Sequence, residues 1–178
     1  MTVTKAVINQ PLPDALFEFK PPAGAVQVDE FTNGPLSPLA GKSLPDFELK
    51  DTQGNSITPA SLKGKLAILV FSQRAGAQDA FLEILYRASK DRGVAVVYVV
   101  SRNVDDLGAQ MNRLGYTMPA AVAPPSMTAE SMGFTIPHRL DGLIVVDRAG
   151  KAIYVASSAS PNQTVPQIVK ALRDSGIW

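Results

Sequence analysis

Two apolar runs set what this chain can fold into. Leu66-Ala-Ile-Leu-Val-Phe71 and Val94-Ala-Val-Val-Tyr-Val-Val100 are unbroken, of strand length and rich in branched side chains. A strand with one wet face alternates apolar and polar residues; a run without alternation is covered on both faces, as in the sheets of α/β proteins. Between the two runs Ala80, Phe81, Ile84, Leu85 and Ala88 recur on one helical face. Asp79 and Glu83 sit towards the start of that stretch, Lys90 and Arg92 towards its end, and Gly93 can close it, an order that suits the helix dipole. Strand, helix and strand together predict a crossover unit in a buried sheet.

The flanking sequence extends this unit. Upstream, Phe47-Glu-Leu-Lys, the turn Asp51-Thr-Gln-Gly54 and Ser56-Ile-Thr read as a hairpin. Downstream, Asn103 can cap a helix whose Val104, Leu107, Met111 and Leu114 share a face, with Gly115 as terminator. A shorter helix fits residues 126–133. Gly142-Leu-Ile-Val-Val-Asp147, the turn Arg148-Ala-Gly150 and Ala152-Ile-Tyr-Val-Ala156 form a strand pair, and Thr164 with Gln167 reads as the capping box of a last helix bearing Val165, Ile168, Val169 and Leu172. Up to Pro38 the chain is too rich in proline for a long helix and reads as an extended arm, in which residues 25–31 can add one edge strand. The expected organisation is an arm over 1–38 and one α/β domain over 39–178, a mixed sheet flanked by helices.

Composition removes whole classes of chemistry. The sequence has no cysteine, so it can form no disulfide, thiolate metal site or cysteine nucleophile, and its single histidine makes no metal cluster. Seventeen basic residues nearly balance sixteen acidic ones, which leaves no basic stripe for nucleic acid. The longest apolar runs are far short of the roughly 20 residues of a membrane-spanning helix.

Four phrases in order resemble the redoxin family, the alkyl hydroperoxide reductase and thiol-specific antioxidant branch of the thioredoxin superfamily. They are Gly41-Lys-Ser-Leu-Pro-Asp-Phe running to Gly54, Ser61-Leu-Lys-Gly-Lys65, the strand that ends in Phe71, and Val145-Val-Asp-Arg-Ala-Gly150. The resemblance covers about residues 39–176 and implies a thioredoxin-like sandwich with thiol–disulfide exchange or peroxide reduction as the family reaction and a thiol or disulfide protein as partner. No cofactor and no metal are expected. In that family the cysteines start the helix after the central strand, where free N–H groups and the helix dipole favour a thiolate.

Here the segment reads Phe71-Ser-Gln-Arg-Ala-Gly-Ala-Gln-Asp-Ala80, which places Ala77 and Ala80 at the cysteine pair. A second frame pairs Gly76 with Asp79. Two readings of the alanines stay open: a cysteine pair lost or replaced, or alanines present as good helix formers. The resemblance also makes Pro137 a candidate cis proline beside this cleft, against an ordinary trans loop proline, and puts Asp141 about where peroxidase relatives carry an arginine. His138 would lie at the cleft mouth as a solvated side chain, and Asp79 and Arg74 would be helix-start charge and surface. The functional expectation is a redoxin domain without its sulfur; the alternative is a non-catalytic binding or scaffold module that holds a peptide or partner at the Ala77/Pro137 cleft.

The arm phrase Leu12-Pro-Asp-Ala-Leu-Phe-Glu-Phe-Lys-Pro-Pro-Ala-Gly-Ala25 resembles the exit of bacterial outer-membrane lipoprotein-carrier-like domains. That resemblance implies a domain preceding this one in a longer exported protein, and hence a bacterial periplasmic setting.

Overall fold

The computed structural model describes residues 37–102, 106–157, 161–174 and 176. Residues 1–36 of the arm, with its expected edge strand, and Asn103 and Val104 lie outside the described residues. The two apolar runs are strands β3 (Leu66–Ser72) and β4 (Val94–Val100). They pair in parallel along their full length, Leu66 opposite Val94 through to Ser72 opposite Val100. Strand β6 (Gly142–Val146) pairs antiparallel with the other edge of β3 and carries β7 (Ala152–Ser157) beyond it, while β5 (Ala120–Val122) pairs parallel with β4. The sheet is mixed and five-stranded, in the order β5-β4-β3-β6-β7. A separate hairpin of β1 (Leu49–Lys50) and β2 (Ser56–Ile57) precedes it.

Both faces are covered, as unbroken apolar strands require. Alternate residues Leu66, Ile68, Val96 and Tyr98 face helices α2 (Ala80–Ser89), α3 (Leu107–Leu114) and α4 (Pro161–Asp174). The successive strands β3, β4 and β5 run outward in one direction, so right-handed crossovers put α2 and α3 on the same side. Ala67, Leu69, Phe71 and Val97 face the hairpin, the short helix α1 (Pro59–Leu62) and the segment around Met127, Met132 and Phe134. Phe71 and Phe134 meet edge to face at 5.2 Å between ring centres. No helix among the described residues is long and apolar enough to cross a membrane.

Four local expectations are corrected. The cap of α3 is Asp106, whose carboxylate accepts from Ala109 N at 2.7 Å. Residues 126–133 hold turns rather than a helix; Thr128 and Ser131 bond each other's backbone and side chain as a capping box does, but Gly133 at φ +72° closes the stretch, with Phe134 N donating to Ala129 O at 2.8 Å, before a helix can propagate. Helix α4 begins at Pro161, a residue whose fixed φ suits a first helical position, so Thr164 lies inside the helix and is not its cap. The buried face of α2 is shifted from the expected one: Phe81 and Leu85 pack against the core as expected, but the fully buried residues are Leu82, Glu83 and Ser89, while Ile84 is 69% exposed. With Val165, Ile168 and Val169 the expected face also lines an open groove between α2 and α4.

Gly142 opens β6 at φ +155°, and a Cβ there would strike the Ala156 carbonyl oxygen and lie 2.7 Å from the Phe134 ring. Gly142→Ala is expected to cost about 3 kcal/mol, from strain plus displacement of a paired strand. Gly54→Ala, at φ +86° with nothing within 4 Å, should cost only about 1 kcal/mol. Urea denaturation of both variants checks this; equal losses would show that the close approach at Gly142 is unimportant.

Candidate active site

Strand β3 ends at Ser72, and the chain must then leave the sheet and enter α2 in seven residues. It does so through an extended loop and a single 3₁₀ turn, Ala77–Asp79, for which Gly76 is the extended cap residue. Three successive carbonyls of that loop are each taken by a side chain from a different part of the fold. Tyr98 of β4 lies 3.2 Å from Arg74 O, Gln110 of α3 donates to Ala75 O at 2.9 Å, and Tyr116 donates to Gly76 O at 2.9 Å. Buried carbonyls demand partners, and here the partners also fix the loop's path. Gln110 Oε1 is buried and is the one such side-chain atom without a partner among the described residues.

The turn closes on itself through Asp79. Its Oδ2 accepts from Gly76 N at 3.1 Å and lies 2.6 Å from the Tyr98 hydroxyl. Tyr98 is fully buried, so its hydroxyl needs these contacts. It has one proton and two acceptors in reach, Asp79 and Arg74 O. With Asp79 ionised, that proton goes to the carboxylate, and Arg74 O keeps the Ser72 hydroxyl, which donates to it at 3.1 Å. Burial pushes the Asp79 carboxyl above its ordinary value of 3.8, the hydrogen bonds from Tyr98 and Gly76 N oppose that, and the charge of Asp141 adds to it. Burial likewise pushes Tyr98 far above the ordinary range of a phenol, helped by its bond to Asp79.

One helical turn on, Glu83 meets the opposite fate. Burial would raise its carboxyl, but the Thr117 hydroxyl and N–H, Arg87 and the Met118 N–H together outweigh burial and hold it below the usual carboxylate range. These bonds tie α2 to the loop that leads into β5.

Ala77 and Ala80 stand at the start of the helix as the sequence frame places them, and both side chains are exposed. The inward member of this turn is Asp79, from the second frame. Pro137 is not a cis proline: the described residues contain no cis peptide bond. The residue sits exposed in a turn, where no packing compels the costlier isomer. Beside it His138 adopts φ +58°, its ring 93% exposed, with its N–H donating to Glu130 at 3.0 Å. From this segment the group that bears on the helix start is Asp141, which pairs with Arg139 at 2.9 Å. Sequence reasoning missed Tyr98, Gln110 and Tyr116. A tyrosine inside an otherwise aliphatic strand was the available signal, since a buried phenol must find a partner.

The redoxin family model matches residues 39–172, from the turn before the hairpin almost to the end of α4. The chain belongs to the redoxin family. Among curated protein sequences none matches it. Solved structures share its fold at low identity. A cysteine-to-serine mutant of PrxQ from Xylella fastidiosa superposes with a TM-score of 0.64 at 10% identity, over 77% of this chain and 96% of that one. A putative protein disulfide isomerase from Bacteroides thetaiotaomicron gives 0.63 at 18%, over 76% and 89%. A putative thiol:disulfide interchange protein DsbE from Chlorobium tepidum gives 0.61 at 21%, over 75% and 97%. This redoxin therefore has the family's domain without a single cysteine in it.

The two carboxylates of α2 give this redoxin opposite pH signatures. Asp79, raised on folding, contributes stability that is complete below its unfolded value near 3.8 and is lost as pH rises through the folded value. Glu83, lowered on folding, contributes stability that is present above its unfolded value near 4.5 and is lost as pH falls through the folded value. Asp79→Asn should therefore stabilise the domain at pH 7 and have little effect near pH 3, whereas Glu83→Gln should cost about 2 kcal/mol at pH 7 and less near pH 3. Guanidinium titrations at the two pH values test both signs; destabilisation at pH 7 by Asp79→Asn would contradict the assignment.

Proposed function

We propose that this redoxin domain is redox-silent, with Ala77 and Ala80 at the positions of the family's cysteine pair. The observation that carries the reading is the complete absence of cysteine from a chain that matches the family model over residues 39–172. An alanine methyl can neither ionise nor attack a disulfide or peroxide. The family's thiol and disulfide partners then serve this domain, if at all, as molecules held rather than turned over.

The second reading, a non-catalytic binding module, is favoured by the pinned loop. Side chains from β4, α3 and the α3–β5 connection hold the carbonyls of Arg74, Ala75 and Gly76, which makes the helix start a rigid platform. Rigid presentation lowers the entropy cost of holding a partner.

Insulin reduction with dithiothreitol and hydrogen peroxide consumption should both run at the protein-free rate; any excess would defeat the redox-silent reading. Restoring sulfur tests the frame. The double variant Ala77→Cys with Ala80→Cys should form a disulfide under mild oxidation, and its first thiol should alkylate with a pKa well below the unperturbed value of about 8.5. A pKa near 8.5, or no disulfide, would remove Ala77 and Ala80 from the cysteine positions and leave the binding module as the reading that holds.

A further inference from the structure

The carboxyl ends of β3, β4 and β5 border an open cleft of about 830 Å³, within the roughly 300–1,000 Å³ of small-ligand sites. In open α/β sheets ligands gather at this end of the strands, where the connections leave a crevice. Its rim is built by strand succession. Gln73 follows β3, Ser101 and Arg102 follow β4, and Arg139 enters from the segment before β6. Among the described residues the side chains of Gln73, Ser101 and Arg102 have no hydrogen-bond or ion-pair partner. Arg139 directs Nε and Nη2 to one oxygen of Asp141, at 3.2 and 2.9 Å, which leaves the other edge of its guanidinium uncommitted. The floor is apolar, with Val122, Met127 and Leu140.

We propose that this cleft binds a small aliphatic carboxylate, with its anionic head between Arg102 and Arg139 and its chain over Val122, Met127 and Leu140. A guanidinium fork matches the two oxygens of a carboxylate, and the Ser101 hydroxyl and Gln73 amide supply further donors at the same rim. The charge balance selects a monoanion. Asp141 already offsets Arg139, and Glu130, also on the rim, keeps its negative charge while engaged by the His138 N–H and facing its ring nitrogen at 3.4 Å. Arg102 and Arg139 are thus matched by Asp141 and Glu130, and a rim with no net positive charge accepts one negative charge better than the two of a phosphate. The site is distinct from the helix start and stands whether or not Ala77 and Ala80 mark the cysteine positions.

The test uses the intact chain, labelled with ¹⁵N, with hexanoate and its uncharged analogue hexanamide as probes. Hexanoate should shift the amides of Gln73, Ser101, Arg102 and Val122 saturably, hexanamide should bind at least about tenfold more weakly, and Arg102→Ala should lose about tenfold in affinity for hexanoate. Arg102 is exposed, so that variant should keep the native spectrum elsewhere. The proposal is overturned by any of four outcomes: no cleft shifts up to about 10 mM hexanoate, equal binding of the amide, undiminished affinity in Arg102→Ala, or shifts confined to the apolar groove between α2 and α4.

Discussion

The structure depends on β3 being paired on both edges and buried on both faces. Leu66 to Ser72 bonds in parallel to β4 and antiparallel to β6, so no register slip is available without turning the whole apolar set to the wrong side. That rigidity delivers Ser72 to a fixed point at the end of the sheet. The loop that follows has to turn the chain back over the sheet into α2, and it exposes carbonyls to the interior as it does so. Tyr98 reaches the first of them, at Arg74, because it lies on β4, opposite Val70 in the register. That side chain is placed by the same pairing that creates the need for it, and Gln110 and Tyr116 complete the hold from α3 and the residues after it.

The consequence at the helix start is a division of labour between two carboxyl groups. Glu83 is surrounded by four donors and keeps its charge at low solvent exposure. Asp79 has the Gly76 N–H and a phenol that is shared with Arg74 O, while Asp141 adds like charge. Burial decides the balance at Asp79, and donor number decides it at Glu83. In this chain the turn's inward residue is consumed by hydrogen bonds inside the fold, and its outward residues, Ala77 and Ala80, bring no reactive group.

Much of the architecture was legible in the sequence because it rests on patterns that burial enforces. The unbroken runs became β3 and β4, the Asp51–Gly54 turn closed the hairpin, and Arg148-Ala-Gly150 joined β6 to β7. What failed were features decided by contacts between distant residues. The inward face of α2 could not be read from hydrophobicity, because Glu83 is buried by donors that arrive from Thr117 and Met118, more than thirty residues away. The same holds for Tyr98, Gln110 and Tyr116, whose importance lies in loop carbonyls that no periodicity marks. Asp106 displaced Asn103 as the cap of α3, a choice between near-equal polar residues, and the early left-handed stop at Gly133 left turns where a short helix was expected. Pro137 failed as a cis proline for a similar reason: its isomer is set by packing around it, and at this exposed turn nothing packs.

The central claim is that the helix start is a closed hydrogen-bonded structure organised on Asp79 and Tyr98, and not an open polar pocket. The direct measurement is the titration of the Asp79 carboxyl carbon by ¹³C nuclear magnetic resonance, in the native chain and in Tyr98→Phe. Asp79 is expected to titrate above its ordinary value near 3.8 in the native chain, and higher still in the variant, where the stabilising phenol is gone while the burial remains. Titration at or below 3.8, or an identical value in Tyr98→Phe, would contradict the account.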